Sequence, residues 1–526
     1  MVWLVPVQED FSSRTTKPTE LDRCLLTSTI PRTEQQSDPE SMPLTSYLVA
    51  LGICVGISSP LLSQAAGVAS GPLAHQFPLT LSPGRRTEVL GPLLSYERRE
   101  EQTQWTLPPL FSHTFDTGVD VEEFDLAYPL LTYDRFGTEY RFQIFQVFSF
   151  SGGLDQQEGN VRRFTLFPLY FQQRAADSNL NYTALFPLYG RMKNRLFRDE
   201  IRFVLFPLYG RSRKRDVVTD NYLYPFFHVR HGSGLRGWQV WPLAGNEHKD
   251  VTSRTNSADV VETVAGHRKF SLLWPIFFNQ TLGLGTENPD RRQALLPFYS
   301  YQRSPQRDST TVPWPVGFTI TADREKKYRE IGVPWPLIVF ARGEGKTVNR
   351  FWPLFGQTKN PIQQRDFYLW PLYKYNHAHA PPLDRTRTRI LYFLYSDLIE
   401  KNEDTGTALQ RTDLWPLFTA RRDHDGNERL QLIAPLEPFL ANNKSIERNY
   451  SPLWSIWRSE KNAKTGAAGE SLLWNLYRRD TTPETRKCSL LFGLFQYQSG
   501  LEGKRLRMFY VPVFQTRKTP VARPGQ

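Results

Sequence analysis

Short apolar cores recur along most of the chain, and charged or turn-forming segments separate them. Each core has the form aromatic-Pro-Leu-aromatic or a close variant, as in LFPLY at 205–209 and LWPLF at 414–418. Most cores lie 17–23 residues apart, and about 22 units, degenerate copies included, fill residues 90–515. A fixed period of this length is typical of repeat architectures. The clearest cores lie at 166–170, 185–189, 205–209, 223–227, 240–244, 273–277, 295–299, 313–317, 334–338, 351–355, 369–373 and 414–418.

The segments between the cores predict β-strands. They are rich in Phe, Tyr, Trp, Val and Leu, which favour strands, and Ile201 and Phe203 alternate with Arg202. Gly- and Asp-rich segments at 343–345, 423–427 and 499–503 predict hairpin turns. No segment has a long apolar period of 3.6 residues. The pattern therefore predicts an all-β fold, a large antiparallel meander of about 22 repeat units.

The recurring proline leaves two arrangements of the unit open. Proline cannot donate to a strand ladder, so it belongs at an edge, a strand start, a bulge or a turn. In the first arrangement, each unit is one strand of about 12–14 residues that bends at the proline. In the second, each unit is a hairpin of two short strands with the proline at the corner, which gives about twice as many strands.

The closure of the sheet is a separate question. An outer-membrane barrel needs many strands, short turns and aromatic girdles, and the array fits that description. Against it, both faces of a core such as residues 205–209 are apolar if the core is a strand, which suits sheets buried on two sides. We predict an outer-membrane-barrel-like meander, with a propeller-like or stacked soluble β-repeat as the alternative.

The N-terminal region predicts export. Residues 47–62 are an apolar run, and Ser63-Gln64-Ala65 ends it with small residues, which is typical of a secretory signal. Met42 lies close to this run. We predict a disordered or mis-assigned extension at 1–41, a signal peptide at 42–65, a linker at 66–89, one β-repeat domain at 90–515 and a disordered tail at 516–526. An uncleaved anchor helix is the alternative to cleavage.

Composition and charge narrow the class of protein. The 526 residues carry a net charge of +12. Aromatic residues make up 13% of the chain, and this content excludes a disordered chain. The predicted signal and extension contain four basic and seven acidic residues, so the remaining chain has a net charge of +15. Their removal leaves Cys488 as the single cysteine, and we therefore expect no internal disulfide.

The array of (F/W)PL(F/Y) cores between charged hairpins resembles a group of uncharacterised secreted bacterial proteins built from the same repeat. The resemblance covers residues 90–515 and includes no catalytic residues. It implies a location in the bacterial cell envelope and adds no activity.

Two segments resemble ligand loops but lack a required residue. Residues 343–347, Gly-Glu-Gly-Lys-Thr, end like a phosphate-binding loop, but Phe340 stands where the motif needs glycine. Residues 423–427 begin like a calcium loop, but Ala434 occupies the position of the bidentate glutamate. Both segments are predicted to be turns.

Histidines and basic runs are the remaining candidates. His377 and His379, with Asp384 nearby, have ligand types for a metal, but zinc needs three or four ligands and the following Ala-Pro-Pro predicts an exposed loop. Basic runs at 211–215 and 385–389 could bind phosphate groups. Their plainer interpretation is solvated turn charge, and regularly spaced aromatics are interpreted as packing residues.

These observations predict a non-enzymatic cell-envelope protein, with no catalytic, cofactor-binding or metal site and no cofactor. The leading hypothesis is an outer-membrane barrel-like β-repeat with a structural or solute-passage role. The alternative is an exported, periplasmic or secreted β-repeat that binds a glycan or an anionic polymer. Outer-membrane lipid, lipopolysaccharide, glycans and anionic solutes are the expected partners, and nucleic acid is not.

Overall fold

A computed structural model describes residues 73–155, 159–255, 261–501 and 503–517. The predicted extension and signal, at 1–41 and 42–65, lie outside the described residues. In the described part the regular secondary structure is almost wholly β, with 45 strands, two short α-helices and two short 3-10 helices. Each internal strand of the main 43-stranded sheet pairs antiparallel with the previous and the next strand of that sheet in chain order. A separate two-stranded sheet, at 252–255 and 261–264, lies in the chain between two of these strands. The predicted all-β antiparallel meander is confirmed.

The strands are four to eight residues long, and six is the commonest length. The first are β1 (His75–Pro78), β2 (Gly84–Val89), β3 (Leu94–Arg99), β4 (Gln102–Leu107), β5 (Phe111–Asp116), β6 (Val121–Leu126), β7 (Leu131–Phe136), β8 (Glu139–Ile144), β9 (Phe148–Asp155), β10 (Gly159–Leu166), β11 (Tyr170–Ala175), β12 (Tyr182–Leu185), β13 (Tyr189–Arg195), β14 (Arg198–Val204) and β15 (Tyr209–Lys214). The next are β16 (Val217–Tyr222), β17 (Phe227–Gly232), β18 (Leu235–Val240), β19 (Ala244–Lys249), β20 (Thr252–Thr255), β21 (Val261–Val264), β22 (Gly266–Leu272), β23 (Phe277–Leu284), β24 (Asp290–Leu295), β25 (Tyr299–Arg303), β26 (Arg307–Val312), β27 (Phe318–Asp323), β28 (Tyr328–Gly332), β29 (Ile338–Gly343) and β30 (Thr347–Phe351). The last are β31 (Phe355–Lys359), β32 (Gln363–Tyr368), β33 (Tyr373–Ala380), β34 (Leu383–Ile390), β35 (Tyr395–Asn402), β36 (Ala408–Leu414), β37 (Phe418–Arg422), β38 (Glu428–Leu432), β39 (Trp457–Lys461), β40 (Ala468–Leu472), β41 (Tyr477–Thr481), β42 (Thr485–Leu490), β43 (Phe495–Gly500), β44 (Gly503–Met508) and β45 (Val511–Arg517).

Each repeat unit is a hairpin with the proline at the corner. Pro207 lies in the turn between β14 and β15, and Pro371 lies in the turn between β32 and β33. The hairpin arrangement is therefore confirmed, and the arrangement of one long strand bent at the proline is wrong. The propeller-like alternative is also wrong for the main sheet, because strand pairing continues from unit to unit instead of dividing into four-stranded blades.

Backbone hydrogen bonds between successive proline turns explain why proline is tolerated there. The Leu205 N–H donates to the Leu188 carbonyl oxygen at 2.5 Å, and the Phe206 N–H donates to the Pro187 carbonyl oxygen at 2.7 Å. The Leu223 N–H repeats the first bond with the Leu208 oxygen at 2.7 Å. Proline serves here only as an acceptor, so its missing N–H leaves no gap in the ladder.

The turns at the two ends of the strands form two rows that run across the strands, and we call each row an edge of the sheet. These two edges differ in chemistry. We call the edge formed by the proline-type turns the apolar rim; it comprises residues 108–110, 127–130, 145–147, 167–169, 186–188, 205–208, 223–226, 241–243, 273–276, 296–298, 313–317, 333–337, 352–354, 369–372, 391–394, 415–417, 473–476, 491–494 and 509–510. We call the opposite edge the polar rim; its turns include the predicted hairpins at 343–345 and 423–427, which are confirmed. Leu196 and Phe197 form an apolar exception on the polar rim.

The two faces of the sheet differ as well. The buried face carries Phe203, Ala294 and Val339, which are at most 3% exposed, whereas the exposed face carries Trp238 and Phe340, which are more than 40% exposed. Small residues follow the buried face next to the apolar rim from strand to strand, among them Ser95, Thr106, Ser112, Ala184, Gly190, Gly210, Gly245, Ala294, Thr311, Thr319, Gly332, Gly356 and Ser489.

Rim aromatics require these small residues. A Cβ atom added to Gly332 would lie 2.8 Å from the Trp335 ring, so a larger residue would displace that ring. One buried apolar cluster consists of Tyr182, Ala184, Met192 and Phe203. The rim residues Phe186 and Phe206 pack against this cluster. A second cluster, of Tyr328, Val339, Ala341 and Val348, extends the core across the width of the sheet toward the polar rim.

A helical insertion joins the first strands to the last ones. Helix α1 (Lys444–Asn449) and helix α2 (Ser451–Trp454) lie between β38 and β39. Arg448 pairs with Glu123 and with Asp125, and the Asn449 side-chain amide donates to the Ser112 hydroxyl at 3.1 Å. These contacts join residues more than 320 positions apart, as do the contact of the Arg478 guanidinium with the Phe77 ring and the hydrogen bond from Asn475 to Glu88.

The limits of the sheet differ from the predicted domain limits. Residues 75–78 and 84–89, inside the predicted linker at 66–89, form β1 and β2. At the other end, β45 extends to Arg517, two residues beyond the predicted end at 515. The linker prediction missed β1 and β2, although Phe77-Pro78-Leu79 at the end of β1 carries the first three residues of the core motif.

An ion cluster links β17, β19 and β22. Glu247 is 13% exposed and pairs with Arg230 at 2.5 Å, with His267 at 2.6 Å and with Lys269 at 3.0 Å. Burial alone would raise the pKa of Glu247, but the Arg230 charge and the bonds from Lys269 and His267 outweigh burial and lower the pKa to about 2.

This lowered pKa predicts a loss of local stability in acid. A carboxylate whose pKa is depressed in the folded state stabilises the fold above its unfolded value, 4.5, and the contribution disappears as the pH falls from about 5 to about 2. We expect Glu247→Gln to cost about 3 kcal/mol at pH 7 and little near pH 2. Hydrogen exchange of amides in β17–β22 measures the difference; an equal cost at both pH values would contradict the assignment.

Candidate membrane-interaction rim

Each turn of the apolar rim divides its side chains between the buried face and solvent. In the turn 205–208, the Phe206 ring packs between the rings of Phe186 and Tyr224, with centroids 5.3 and 5.6 Å away. Leu205 and Leu208 point away from this stack and are 51% and 50% exposed. The aromatic residue therefore contributes to the fold, whereas the two leucines leave apolar surface open.

The first of these two leucines, Leu205, occupies a backbone conformation that leucine disfavours. Leu205 has φ of 46°, in the left-handed region, where a Cβ-bearing residue costs roughly 1–2 kcal/mol and glycine or asparagine is preferred. The same combination recurs, with φ between 43° and 53° and exposure of 45–64%, at Phe145, Leu223, Leu273, Leu369, Leu473, Leu491 and Phe509. Neither burial nor backbone preference accounts for large apolar side chains at these positions.

On the exposed face, the side chains are apolar next to the apolar rim and charged next to the polar rim. Along β29, Ile338 lies next to the apolar rim, Phe340 follows, and Arg342 lies nearest the polar rim. Along β15 the order is Tyr209, Arg211 and Arg213. An apolar edge bordered by Tyr and Trp and then by Arg and Lys is the arrangement found at membrane interfaces. None of the helices in the described ranges is long and apolar enough to cross a membrane.

The two loop-like motifs of the sequence are turns of the polar rim. Gly343 ends β29, Thr347 begins β30, and the segment between them makes no helix. Asp423 Oδ1 accepts hydrogen bonds from the backbone N–H groups of Asp425 and Asn427, at 3.0 and 2.9 Å, which closes its turn internally.

The histidines lie in a strand, which corrects the prediction of an exposed loop. His377 and His379 belong to β33; His377 Nε2 lies 2.7 Å from Asp384 Oδ1, and His379 Nδ1 lies 3.5 Å from Glu403 Oε1. Ligand atoms of His379, Asp384 and Glu403 all lie within 4.8 Å of one another. These groups have the ligand types for a divalent transition metal, and nearly half of the His379 and Glu403 side chains is exposed.

The two basic runs differ in their partners. In residues 211–215, Arg211 Nε pairs with Asp220 at 2.6 Å and Arg213 lies 3.8 Å from Glu200. Residues 385–389 are part of β34, not a solvated turn, and alternate residues of the run share the buried face. Sequence reasoning missed this distinction, because it depends on the face to which each strand turns its arginines.

A cavity of about 470 Å³ lies between the first strands, the helices and strands β37–β41. Its charges are balanced, with eight basic residues (Arg86, Arg99, Arg421, Arg429, Lys444, Arg448, Arg458 and Arg478) against eight acidic ones (Glu88, Glu97, Asp116, Glu123, Glu437, Glu447, Glu460 and Glu470). Burial, with the neighbouring Arg86, lowers the pKa of Arg458 to about 10. The balance indicates an internal ion-pair network between the sheet segments.

No protein-family model matches the chain, and a search of curated proteins finds no similar sequence.

Proposed function

We propose that the protein is a non-enzymatic component of the bacterial cell envelope, located at the outer membrane, whose apolar rim enters the lipid interface. The observation that carries this proposal is the row of exposed leucine and phenylalanine residues in left-handed turn positions. Such residues cost the fold free energy, and insertion into lipid would offset that cost.

Strand length favours insertion of one rim over a barrel that spans the bilayer. A transmembrane strand needs about 9–11 residues, tilted, to cross a hydrocarbon core of roughly 30 Å. Most strands here have six residues or fewer, which corresponds to at most roughly 20 Å. We therefore place the sheet at the surface of one leaflet, with the apolar rim in the lipid and the polar rim in water.

The structural role that follows is attachment of an extended β-sheet to a membrane. The alternative, an exported soluble protein, requires that another protein surface cover the apolar rim. That alternative predicts self-association or a permanent partner in solution, whereas membrane attachment predicts binding to lipid without a partner.

The test is flotation of the purified protein with phosphatidylcholine vesicles in a density gradient, at about 0.5 M salt to screen its positive charge. We expect the protein to float with the vesicles. Recovery at the bottom of the gradient would overturn the proposal, and sedimentation analysis of that fraction would then show whether copies of the chain cover the rim.

A further inference from the structure

Six cationic side chains line a groove on the buried face of β30–β34. Arg350, Lys374 and Arg389 share the row next to the apolar rim, and Arg365 and Arg387 share the second row. Arg385 lies in the third row, opposite Ala378. The groove is also lined by Trp352, Phe367, Trp370 and Asn376. We call it the arginine groove.

Most of these cations lack a carboxylate partner of the kind that Arg411 and Arg478, two other arginines of the buried face, have. Arg411 pairs with Asp413 at 2.8 Å, and Arg478 pairs with Asp480 at 2.7 Å. In the arginine groove, Arg385 pairs with Glu400 at 2.9 Å. Within the described ranges no carboxylate lies at ion-pair distance from the other five, which are Arg350, Arg365, Lys374, Arg387 and Arg389.

Arg387 shows the resulting cost most clearly. Its Nε atom is buried and has no hydrogen-bond partner. Burial lowers the pKa of Arg387, and the charges of Arg389 and Arg385 lower it further. Like charges placed together out of water destabilise a fold unless an anion compensates them.

The end of the groove at the apolar rim is aromatic. The rings of Trp352 and Trp370 have centroids 6.0 Å apart, and Lys374 Nζ lies 5.1 Å from the Trp370 ring centroid and 4.6 Å from that of Tyr392. A ligand in the groove would therefore meet cations along its length, with the acidic Asp366 also in the lining, and apolar rings at the end next to the apolar rim.

We propose that the arginine groove binds closely spaced phosphate groups. Guanidinium groups match phosphate oxygens in paired hydrogen bonds, and several arginines on adjacent strands can share one polyanion. The phosphates can belong to a lipid headgroup that enters from the apolar rim or to a free polyphosphate. This inference is independent of the proposed membrane attachment, because a phosphate in solution can test the groove without the rim.

The experiment compares Arg365→Gln/Arg387→Gln/Arg389→Gln with a matched control, Arg213→Gln/Lys214→Gln/Arg215→Gln. Both variants remove three positive charges, and the control removes them at the end of β15 next to the polar rim. Calorimetric titration with inorganic pyrophosphate should show binding by the natural protein, at least a tenfold loss in the groove variant, and less than a threefold change in the control. Equal losses in both variants, or no binding by the natural protein, would overturn the proposal.

A second arm identifies the source of the phosphate. Greater binding to phosphatidylglycerol vesicles than to phosphatidylcholine vesicles, lost in the groove variant only, supports a lipid headgroup. Pyrophosphate binding without this difference supports a free polyphosphate. Arg387→Gln alone should raise the melting temperature in phosphate-free buffer, since it removes a repelling charge; a lower melting temperature would contradict the charge argument.

Discussion

Replacing four rim leucines with asparagine should abolish membrane binding while leaving the fold as stable as before or more stable. The variant is Leu205→Asn/Leu223→Asn/Leu273→Asn/Leu369→Asn, and all four positions have φ of 45–49°. Asparagine tolerates this conformation better than leucine, so each change should relieve some backbone strain. Each leucine removed from lipid should cost about 1 kcal/mol of binding, or roughly a thousandfold in affinity for the four together.

The matched control replaces four exposed leucines at or near the polar rim, which are Leu154, Leu196, Leu383 and Leu501. It makes the same chemical change and should leave vesicle flotation within a few-fold of the natural protein. Loss of binding in the control, or retention in the rim variant, would contradict insertion of the apolar rim. Melting temperatures of both variants show whether either result comes from unfolding.

Arg448→Met should detach the helical insertion from the first strands. The Arg448 side chain is 9% exposed; one of its terminal nitrogens pairs with Glu123, and the other lies 3.1 Å from Asp125. Asp125 is itself buried. Removing one partner of a buried ion pair leaves an uncompensated charge, and we expect a cost of about 3–5 kcal/mol.

Hydrogen exchange measures this cost locally, which suits a repeat fold whose units do not unfold as one. Amides of β5, β6 and α1 should lose protection, whereas those of β24–β28 should not. A second variant, Arg448→Met/Glu123→Gln/Asp125→Asn, should recover most of the protection because it also removes the unpaired charges. Uniform loss of protection across the sheet would show that Arg448 acts on the whole fold.

The sequence predicted the repeat, its spacing and its polar turns because these depend on neighbouring residues. Residues 423–427 form a turn wherever strands flank them. The prediction of two apolar strand faces at residues 205–209 was wrong, because residues 205–208 form a turn between β14 and β15. The helices at 444–454 are too short to give a 3.6-residue pattern.

The candidate sites could not be predicted from the sequence, because each one combines residues from several strands. The run 385–389 has the same composition in a turn as in a strand, and only the pairing of β30–β34 brings Arg350 and Arg365 beside it. His379 and Glu403 are 24 positions apart, and β34 brings both to Asp384. The difference between the apolar and polar rims could have been predicted from the sequence, because every proline core lies at the same edge of a meander of hairpins.

The hairpin unit has a consequence for how such a chain can change in length during evolution. Gain or loss of a single strand would move the buried side chains of every later strand to the exposed face, and it would place the later proline turns on the polar rim. The chain can therefore lengthen or shorten only by whole hairpins. Each duplicated hairpin adds one proline turn, two short strands and roughly 10 Å of edge. The length of the sheet along a surface is therefore set by the number of repeats that the gene encodes. Unequal recombination can change that number without substitution of any residue.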